Sequence, residues 1–247
     1  MSPKRIKNRI WDKGKPFKVN KQPYVIINAA MTVDGKTDTF ERKGAGISSE
    51  EDKRRVLELR ASLDAVLVGG HTLNKEDPKL TVKLPELAAQ RRAVGLPENP
   101  AKVGIVTRAE LNPDGDFINA GPARRIVFTT PQTSAEQLSM LKAAGVEVFI
   151  HNGQRVDLEL ALQTLDVLGI KRLMVEGGGT IIAEFIRLGL ADELQLYVAP
   201  KLFGGANAPT LVAGGGWSES AAKRLALVDA RVLDPAGGLL LHYLLQK

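Results

Sequence analysis

Three consecutive glycines separate an apolar segment from a predicted helix in the second half of the chain. The segment 173–176 has the composition of a buried strand and ends at Glu176, and the glycines 177–179 follow it. Glycine lets a ligand approach the backbone closely, and a helix N-terminus offers free N–H groups and a partial positive charge. This pattern favours a pyrophosphate site, although a tight turn without a ligand is the alternative interpretation. It matches neither the G-x-G-x-x-G fingerprint nor a Walker motif.

A second pair of glycines ends another predicted strand. Gly69 and Gly70 close the apolar run 64–70 and lead into His71 and Thr72. In an open α/β sheet, ligands bind beyond the carboxyl ends of the strands. We therefore expect the two glycine-rich strand ends to face one crevice.

The inventory of residue types excludes several kinds of catalytic site. The chain has no Cys, which excludes disulfides and thiolate chemistry, and it has three His. No Ser lies in a G-x-S-x-G motif and no His pair has metal-ligand spacing, so neither a hydrolytic triad nor a metal site is predicted. His151 and His242 lie in or beside predicted strands and are interpreted as structural. Chemistry carried by a bound cofactor suits this inventory.

Strands and helices alternate after residue 23, which predicts an α/β fold in a single domain, residues 23–247. The central sheet should be mostly parallel with helices on both faces, and the all-strand end of the chain predicts an antiparallel C-terminal edge. Ser48 and Glu51 have the spacing of a capping box that would open the first helix. Four prolines interrupt residues 71–101, which are predicted to be mostly loop and short helix. The predicted strands are 24–31, 64–70, 102–106, 125–129, 146–150, 172–175, 193–198, 224–233 and 238–245, and the predicted helices are 48–63, 134–144, 158–168 and 179–188.

The positive charge of the chain lies at its N-terminus. Residues 1–23 hold eight Lys or Arg and one Asp, so this segment is +7, and the rest sums to −1 within a total of +6. Residues 1–22 are interpreted as a basic arm that is solvated or packs on a neighbouring subunit, and no nucleic-acid partner is expected. Binding of nucleic acid or anionic lipid by this arm is the alternative. No stretch of about 18 apolar residues exists, so no membrane span is expected, and the lack of Cys fits a cytoplasmic location.

Five ordered segments resemble one known family. They are Ala30–Lys36, Leu59–Gly69, Thr72 with Asp77–Val82, Val175–Gly178 and Ala199–Gly205. Together they are similar to the reductase domain of riboflavin biosynthesis, which has a dihydrofolate-reductase-like fold, over about residues 23–245. The resemblance implies a stand-alone, homodimeric reductase that uses NADPH to convert the ribosylamino group of 2,5-diamino-6-ribosylamino-4(3H)-pyrimidinone 5′-phosphate to ribitylamino. The zinc deaminase of bifunctional members is not expected, because the chain has no Cys to build it.

The resemblance also implies roles for residues at matching positions. As a hypothesis of mechanism beside the resemblance, Lys36 and Glu176 are the expected catalytic groups near the ribose, with Asp34 supporting the loop of Lys36. An ordinary turn at Asp34 and Gly35 is the alternative. Substrate contacts are expected from Arg60, Leu80 and Lys83. The expected cofactor contacts are Ala30, Thr72, Glu76, Arg108, Gly178, Gly179 and Thr180, and the guanidinium of Arg108 would favour the 2′-phosphate of NADPH.

Three positions depart from the family pattern. Glu76 replaces a usual Asp, and Gly46 stands where many bifunctional members have Trp. Lys83 replaces a usual Arg, so it keeps a positive charge for the substrate phosphate but loses the bidentate fork. These positions weaken the implied contacts without removing the charge that a phosphate needs.

Two other functions stay open at this point. The same fold could carry an NADPH-dependent reductase of pterins or folates, because a fold does not fix the substrate. A non-catalytic nucleotide-binding protein would keep the glycine-rich turn as well. Arg60 could simply pair with Asp64 one helical turn on, and Arg108 could be a solvated loop residue.

Overall fold

The structure, a computed structural model, describes residues 22–246, so the predicted basic arm lies outside the described residues except for Gln22. Within this range the chain forms one sheet with a helical layer on each face. The strands are β1 Tyr24–Thr32, β2 Ala65–Gly69, β3 Ala101–Ile105, β4 Arg125–Thr129, β5 Glu147–Ile150, β6 Arg172–Val175, β7 Glu193–Ala199, β8 Leu225–Val232 and β9 Leu239–Leu245. The helices are α1 Glu50–Ala61, α2 Pro85–Ala93, α3 Asp116–Asn119, α4 Ala135–Ala143, α5 Leu158–Val167 and α6 Gly179–Arg187, with a π-helical turn at Thr72–Glu76 and a 3-10 turn at Glu219–Ala221.

The strand order is β5-β4-β3-β2-β6-β1-β7-β9-β8. Strand β1 lies inside the sheet and is parallel to both neighbours, so that Ile26 lies opposite Met174 of β6 and Glu193 of β7. Strand β9 pairs antiparallel with β7 and with β8. The predicted mostly parallel sheet with an antiparallel C-terminal edge is confirmed.

Both faces of the parallel part of the sheet are buried under helices. Val25 and Ile27 of β1 pack in a core that includes residues of α5 and α6, whereas Ile26 packs in a second core that includes residues of α3 and α4. Neighbouring residues of a strand point to opposite faces, so alternate residues of β1 fill the two cores. Complete burial of such a side chain contributes about 1.5–3 kcal/mol. Among the helices of residues 22–246, none combines the length and apolar character that a membrane crossing requires.

Polar caps set where the helices begin. The N-cap of α1 is Ser49, whose hydroxyl accepts the backbone N–H of Asp52, so the cap predicted at Ser48 was wrong by one residue. The reason is that Ser49 is the residue with the extended backbone (φ −69°, ψ 172°) that leads into the helix. Ser134 and Asp157 cap α4 and α5 in the same way.

Two side chains hold the four-residue helix α3. Lys102 of β3 is fully buried, and its Nζ donates to the carbonyl oxygens of Asp116, Phe117 and Ala120 at 3.0, 3.0 and 2.7 Å. Burial lowers the pKa of Lys102 to about 8. At the other end of the helix, the Asp77 carboxylate accepts the N–H groups of Asp116 and Phe117 at 2.6 and 2.8 Å. Helix α3 is therefore fixed by contacts distant in sequence.

Candidate functional site

The carboxyl ends of β1, β2, β3 and β6 open onto a cavity of about 2090 Å³. Gly70 and Thr72, which follow β2, line this cavity together with Gly178, which follows β6. The N–H of Gly69 donates to the carbonyl of Gly177 at 3.1 Å. The two glycine-rich strand ends therefore meet at one crevice, as the sequence predicted.

Helix α6 begins at the edge of the cavity. Gly178 is its N-cap, and the first hydrogen bonds within the helix run from the N–H groups of Ile181 and Ile182 to the Gly178 carbonyl, at 3.1 and 3.2 Å. The N–H groups of Gly179 and Thr180 precede these bonds, and both residues line the cavity. A helix start of this kind, with no side-chain cap, is suited to hold an anion.

The glycine turn is packed closely against a later loop. The Gly177–Gly178 peptide bond is cis, and Gly177 has a φ of +72° that favours glycine. A Cβ atom on Gly179 would lie 2.6 Å from the carbonyl oxygen of Thr210 and 3.2 Å from the Cβ of Ala213. Position 179 therefore has no space for a side chain, and the loop that carries Thr210 and Ala213 forms another wall of the cavity.

Glu176 is joined to Arg60 by a bidentate ion pair. Arg60 Nε lies 2.7 Å from Glu176 Oε1 and Nη2 lies 2.6 Å from Oε2, while Nη1 donates to the carbonyl of Thr81 at 2.9 Å. Burial acts to lower the pKa of Arg60, but the Glu176 carboxylate outweighs it and raises that pKa. Arg60 does not pair with Asp64, whose carboxylate instead accepts N–H groups from Lys171 and the following residue. Because Glu176 lines the cavity, this pair fixes a carboxylate at the crevice.

Asp34 and Lys36 lie in the turn that follows β1. The Asp34 carboxylate accepts the Thr32 hydroxyl at 2.5 Å and the N–H of Gly204 at 2.7 Å, and these hydrogen bonds lower the pKa of Asp34 to about 2. Lys36 forms a backbone bridge with Thr210. Neither residue is among those that line the cavity. Asp34 thus links its turn to the segment of Gly204, and the catalytic role of Lys36 stays a prediction.

Three of the expected cofactor residues outside the glycine turn line the cavity: Ala30 of β1, and Thr72 and Glu76 of the π-helical turn. The Thr72 hydroxyl donates to Glu76 Oε1 at 3.1 Å. Glu76 therefore holds the Thr72 hydroxyl at the crevice.

Leu80, Lys83 and Arg108 do not line the cavity. Leu80 is buried and, like Lys83, has a positive φ, at +50° and +57°. Arg108 is 65% exposed and pairs with Glu110 at 2.6 Å. The structure thus separates these three from the residues around the glycine turn, and their binding roles stay predictions.

A further polar group lies at the cavity, and no sequence motif predicted it. Asn28 of β1 and Asp52 of α1 are buried and line the cavity, and Arg55 donates to both, at 2.8 and 2.9 Å. The available signal was one polar residue inside the apolar run of β1, together with an acid and a base three positions apart in α1. Lys75 and Arg155 also line the cavity, and no local motif marks them.

Residues 23–236 match the family described as the RibD C-terminal domain. The 2,5-diamino-6-ribosylamino-4(3H)-pyrimidinone 5′-phosphate reductase of Methanothermobacter thermautotrophicus is 40% identical over 200 residues, which are 81% of this chain and 88% of that protein. The protein of the same name from Archaeoglobus fulgidus is 38% identical over 193 residues, covering 78% and 87%.

Solved structures share the fold. A pyrimidine reductase-like protein from Corynebacterium diphtheriae superposes with a TM-score of 0.78 at 22% identity, covering 91% of this chain and 92% of that one. Acinetobacter baumannii RibD superposes with a TM-score of 0.74 at 24% identity, covering 92% and 58%. The predicted α/β fold, shared with the reductases of riboflavin biosynthesis, is confirmed. With the match of residues 23–236 and a relative of 40% identity, this chain belongs to the RibD C-terminal domain family.

Proposed function

We propose that this protein reduces the ribosylamino group of 2,5-diamino-6-ribosylamino-4(3H)-pyrimidinone 5′-phosphate to ribitylamino, with NADPH as the reductant. The names of its relatives support this substrate. The observation that carries the proposal is Glu176, which Arg60 fixes at the crevice directly before the glycine turn. The segment that follows β6 thus places a carboxylate, Glu176, where it could bind a sugar, and the N-terminus of α6 where it could bind a phosphate.

The residues around the glycine turn fit a nicotinamide dinucleotide. Gly177 and Gly178 leave open space above their Cα atoms, since a Cβ there would meet no atom closer than 3.9 Å. The N–H groups of Gly179 and Thr180 would hold the pyrophosphate, and the Thr72 hydroxyl would add a hydrogen bond by turning its proton from Glu76 to the phosphate. The bound nicotinamide supplies the hydride. Ala30 and Glu76 complete the proposed set of cofactor contacts, and Arg108 is proposed to select the 2′-phosphate of NADPH.

The protein's own residues are proposed to position the sugar. Arg60 occupies one lone pair on each oxygen of Glu176, so each oxygen can accept a further hydrogen bond. We infer that Glu176 accepts a ribose hydroxyl and so orients the carbon that receives the hydride after ring opening. Lys36 is proposed as a second polar group beside the ribose, and Leu80 and Lys83 as further substrate contacts.

A homodimer and a cytoplasmic location belong to the same proposal. The antiparallel edge of the sheet exposes apolar side chains, with Leu227 58%, Val228 53% and Val232 65% exposed. An exposed apolar patch of this kind supports contact with a second copy of the chain. The lack of Cys supports a reducing compartment.

Absorbance of the reduced nicotinamide tests the proposed reaction. NADPH should be consumed only when both the enzyme and the ribosylaminopyrimidine phosphate are present, with NADH a poorer donor. Lys36→Ala and Glu176→Gln should each reduce turnover, and near-normal turnover of both variants would remove these two assignments. Turnover of dihydrofolate in place of the pyrimidine would support the pterin and folate alternative, and NADPH binding without turnover of any substrate would support the non-catalytic alternative.

A further inference from the structure

A buried polar cluster connects helix α1 to strands β1 and β7 at the wall of the cavity. It consists of Asn28, Asp52, Arg55 and Gln195. The Arg55 guanidinium donates to all three other members: Nε to Asp52 Oδ1 at 2.9 Å, Nη1 to Gln195 Oε1 at 2.9 Å and Nη2 to Asn28 Oδ1 at 2.8 Å. The side chain of Arg55 is 12% exposed. The cluster is therefore a fixed arrangement and not a solvated ion pair.

The cluster determines which way the Asn28 amide is turned. Arg55 only donates hydrogen bonds, so the oxygen of Asn28 must face it. Gln195 is held in the same sense, because its nitrogen donates to Glu193 Oε1 at 2.7 Å and leaves its oxygen for Arg55. The amide nitrogen of Asn28 has no acceptor among residues 22–246, and Asn28 lines the cavity. It is a positioned hydrogen-bond donor that the protein itself does not use.

Asp52 supplies the complementary group. Its side chain is 1% exposed, Arg55 occupies Oδ1, and Oδ2 is buried with no hydrogen-bond partner among the described residues. A buried carboxylate oxygen without a partner is unfavourable, and in folded proteins such a group is normally satisfied. Asp52 also lines the cavity, one helical turn before Val56 and two before Arg60, which holds Glu176. One face of α1 therefore carries a buried, unpaired acceptor and the residue that fixes the carboxylate of the proposed sugar site.

We propose that Asp52 and Asn28 bind the polar edge of the pyrimidine in the substrate and select for its 2-amino group. Asp52 Oδ2 accepts hydrogen bonds from the 2-amino group and the adjacent ring N–H, and the Asn28 amide donates to the 4-oxo oxygen. This inference rests on the proposed function and assigns the part of the site that reads the base. The deaminated pyrimidine has a carbonyl oxygen at position 2, which would place two acceptors against each other. The enzyme would then act on the pyrimidine before its deamination.

The wild-type enzyme gives the first test, which needs no variant. The 2-amino substrate and its deaminated 2-oxo counterpart are compared by kcat/KM with NADPH. A site that hydrogen-bonds a substrate N–H rejects an analogue without it strongly, so we expect a preference of roughly 100-fold or more. Equal kcat/KM values for the two pyrimidines would overturn the inference while leaving the reductase assignment intact.

Asp52→Asn gives the second test. The oxygen of the new Asn would face Arg55, as that of Asn28 does, and its nitrogen would meet the N–H groups of the base, so the preference for the 2-amino substrate should fall at least about 10-fold. Lys53→Asn is the matched control, because Lys53 is the next residue of α1 and its side chain is 57% exposed; its preference should equal that of the wild type. A proportional loss of activity on both pyrimidines, with the preference unchanged, would mean that Asp52 acts on structure alone and would overturn the inference.

Binding of base fragments separates this inference from the proposed reaction. NMR titration of the wild-type protein with 2,6-diaminopyrimidin-4-one and with 6-aminouracil compares two bases that differ at position 2. Tighter binding of the diamino base is the expected result, even if the protein reduces neither phosphorylated substrate. Equal binding of both bases would contradict the role of Asp52. Because this comparison uses the wild-type protein, it tests the inference even if Asp52→Asn does not fold.

Discussion

The ion pair between Arg60 and Glu176 connects α1 to the end of β6, and its energy depends on its burial. The side chains are 12% and 14% exposed, and the guanidinium also donates to a backbone carbonyl. Removing one partner from such a pair leaves the other charge buried and uncompensated. The same residue that positions the proposed catalytic carboxylate therefore also stabilises the fold.

Arg60→Met is expected to lower the free energy of unfolding by about 3–5 kcal/mol, because Glu176 is left unpaired in a buried position. Urea denaturation measures this change. Arg54→Met is the control on the same helix, since Arg54 pairs with Glu58 and the two side chains are 63% and 52% exposed; its cost should stay below about 1 kcal/mol. Equal costs for the two variants would contradict the account of the pair.

Asp34 makes a pH-dependent contribution that can be isolated with Asp34→Asn. The pKa of Asp34 is lowered from 3.8 to about 2 by the Thr32 hydroxyl and the backbone N–H groups at residues 203 and 204. A lowered pKa stabilises the fold above the unfolded value, and this stabilisation is lost as the pH falls through about 4 towards 2. The difference in urea midpoint between the wild type and Asp34→Asn should be constant at about pH 5–7 and shrink below about pH 4. A difference that does not change with pH would show that the carboxylate charge has no part in holding the turn.

At the scale of elements, the strands were more predictable than the short helices. Strand β2 has five buried residues, and a short continuous apolar run of this kind is typical of a parallel strand that is buried on both faces. Helix α3 has four residues and depends on Lys102 and Asp77, which are distant in sequence, so no local pattern could predict it. The prediction of Ser48 as the N-cap was wrong because either of two adjacent serines fits the preference for Ser at this position. The extended backbone conformation at Ser49 makes that residue the cap.

In the functional site, too, the local features were predictable from the sequence and the features that depend on distant contacts were not. The glycine turn was predictable because consecutive glycines before a helix have few other uses, and the contact of Gly69 with Gly177 confirms that the two strand ends meet. The cluster of Asn28, Asp52 and Arg55 was not predictable, because it forms only when α1 packs across β1. The role of a residue that depends on packing between elements can be assigned only from the tertiary structure.

Gly179→Ala tests the close contact between α6 and the loop of Thr210. The added Cβ would lie 2.6 Å from a backbone oxygen, so the loop or the helix start must move. We expect the KM for NADPH to rise at least about 10-fold, since a small displacement of a positioning group has large effects on catalysis. Gly215→Ala is the control in the same region, because a Cβ at position 215 meets no atom within 4 Å. An unchanged KM in Gly179→Ala would argue against this helix start as part of the cofactor site.

For the whole molecule, the exposed apolar side chains of β8 and β9 predict self-association. Sedimentation should give a mass about twice the 26.7 kDa of the chain. Replacing Leu227 and Val232 by Lys should produce the monomer, because charges on both copies would be desolvated at the interface. Glu219→Lys, in the exposed 3-10 turn, adds positive charge outside these strands and should leave the mass unchanged. A wild-type protein that sediments as a monomer would contradict the proposed dimer.

Isotope transfer from NADPH to the product tests whether the whole molecule acts as the proposed reductase. NADPH that carries deuterium on nicotinamide C4, prepared separately in each of the two stereochemical forms, is incubated with the enzyme and the ribosylaminopyrimidine phosphate. Mass spectrometry of the ribitylamino product should find one deuterium, at the carbon bonded to the amino nitrogen, with one of the two labelled forms. NADPH oxidation without deuterium in the product from either form would contradict direct hydride transfer at this site.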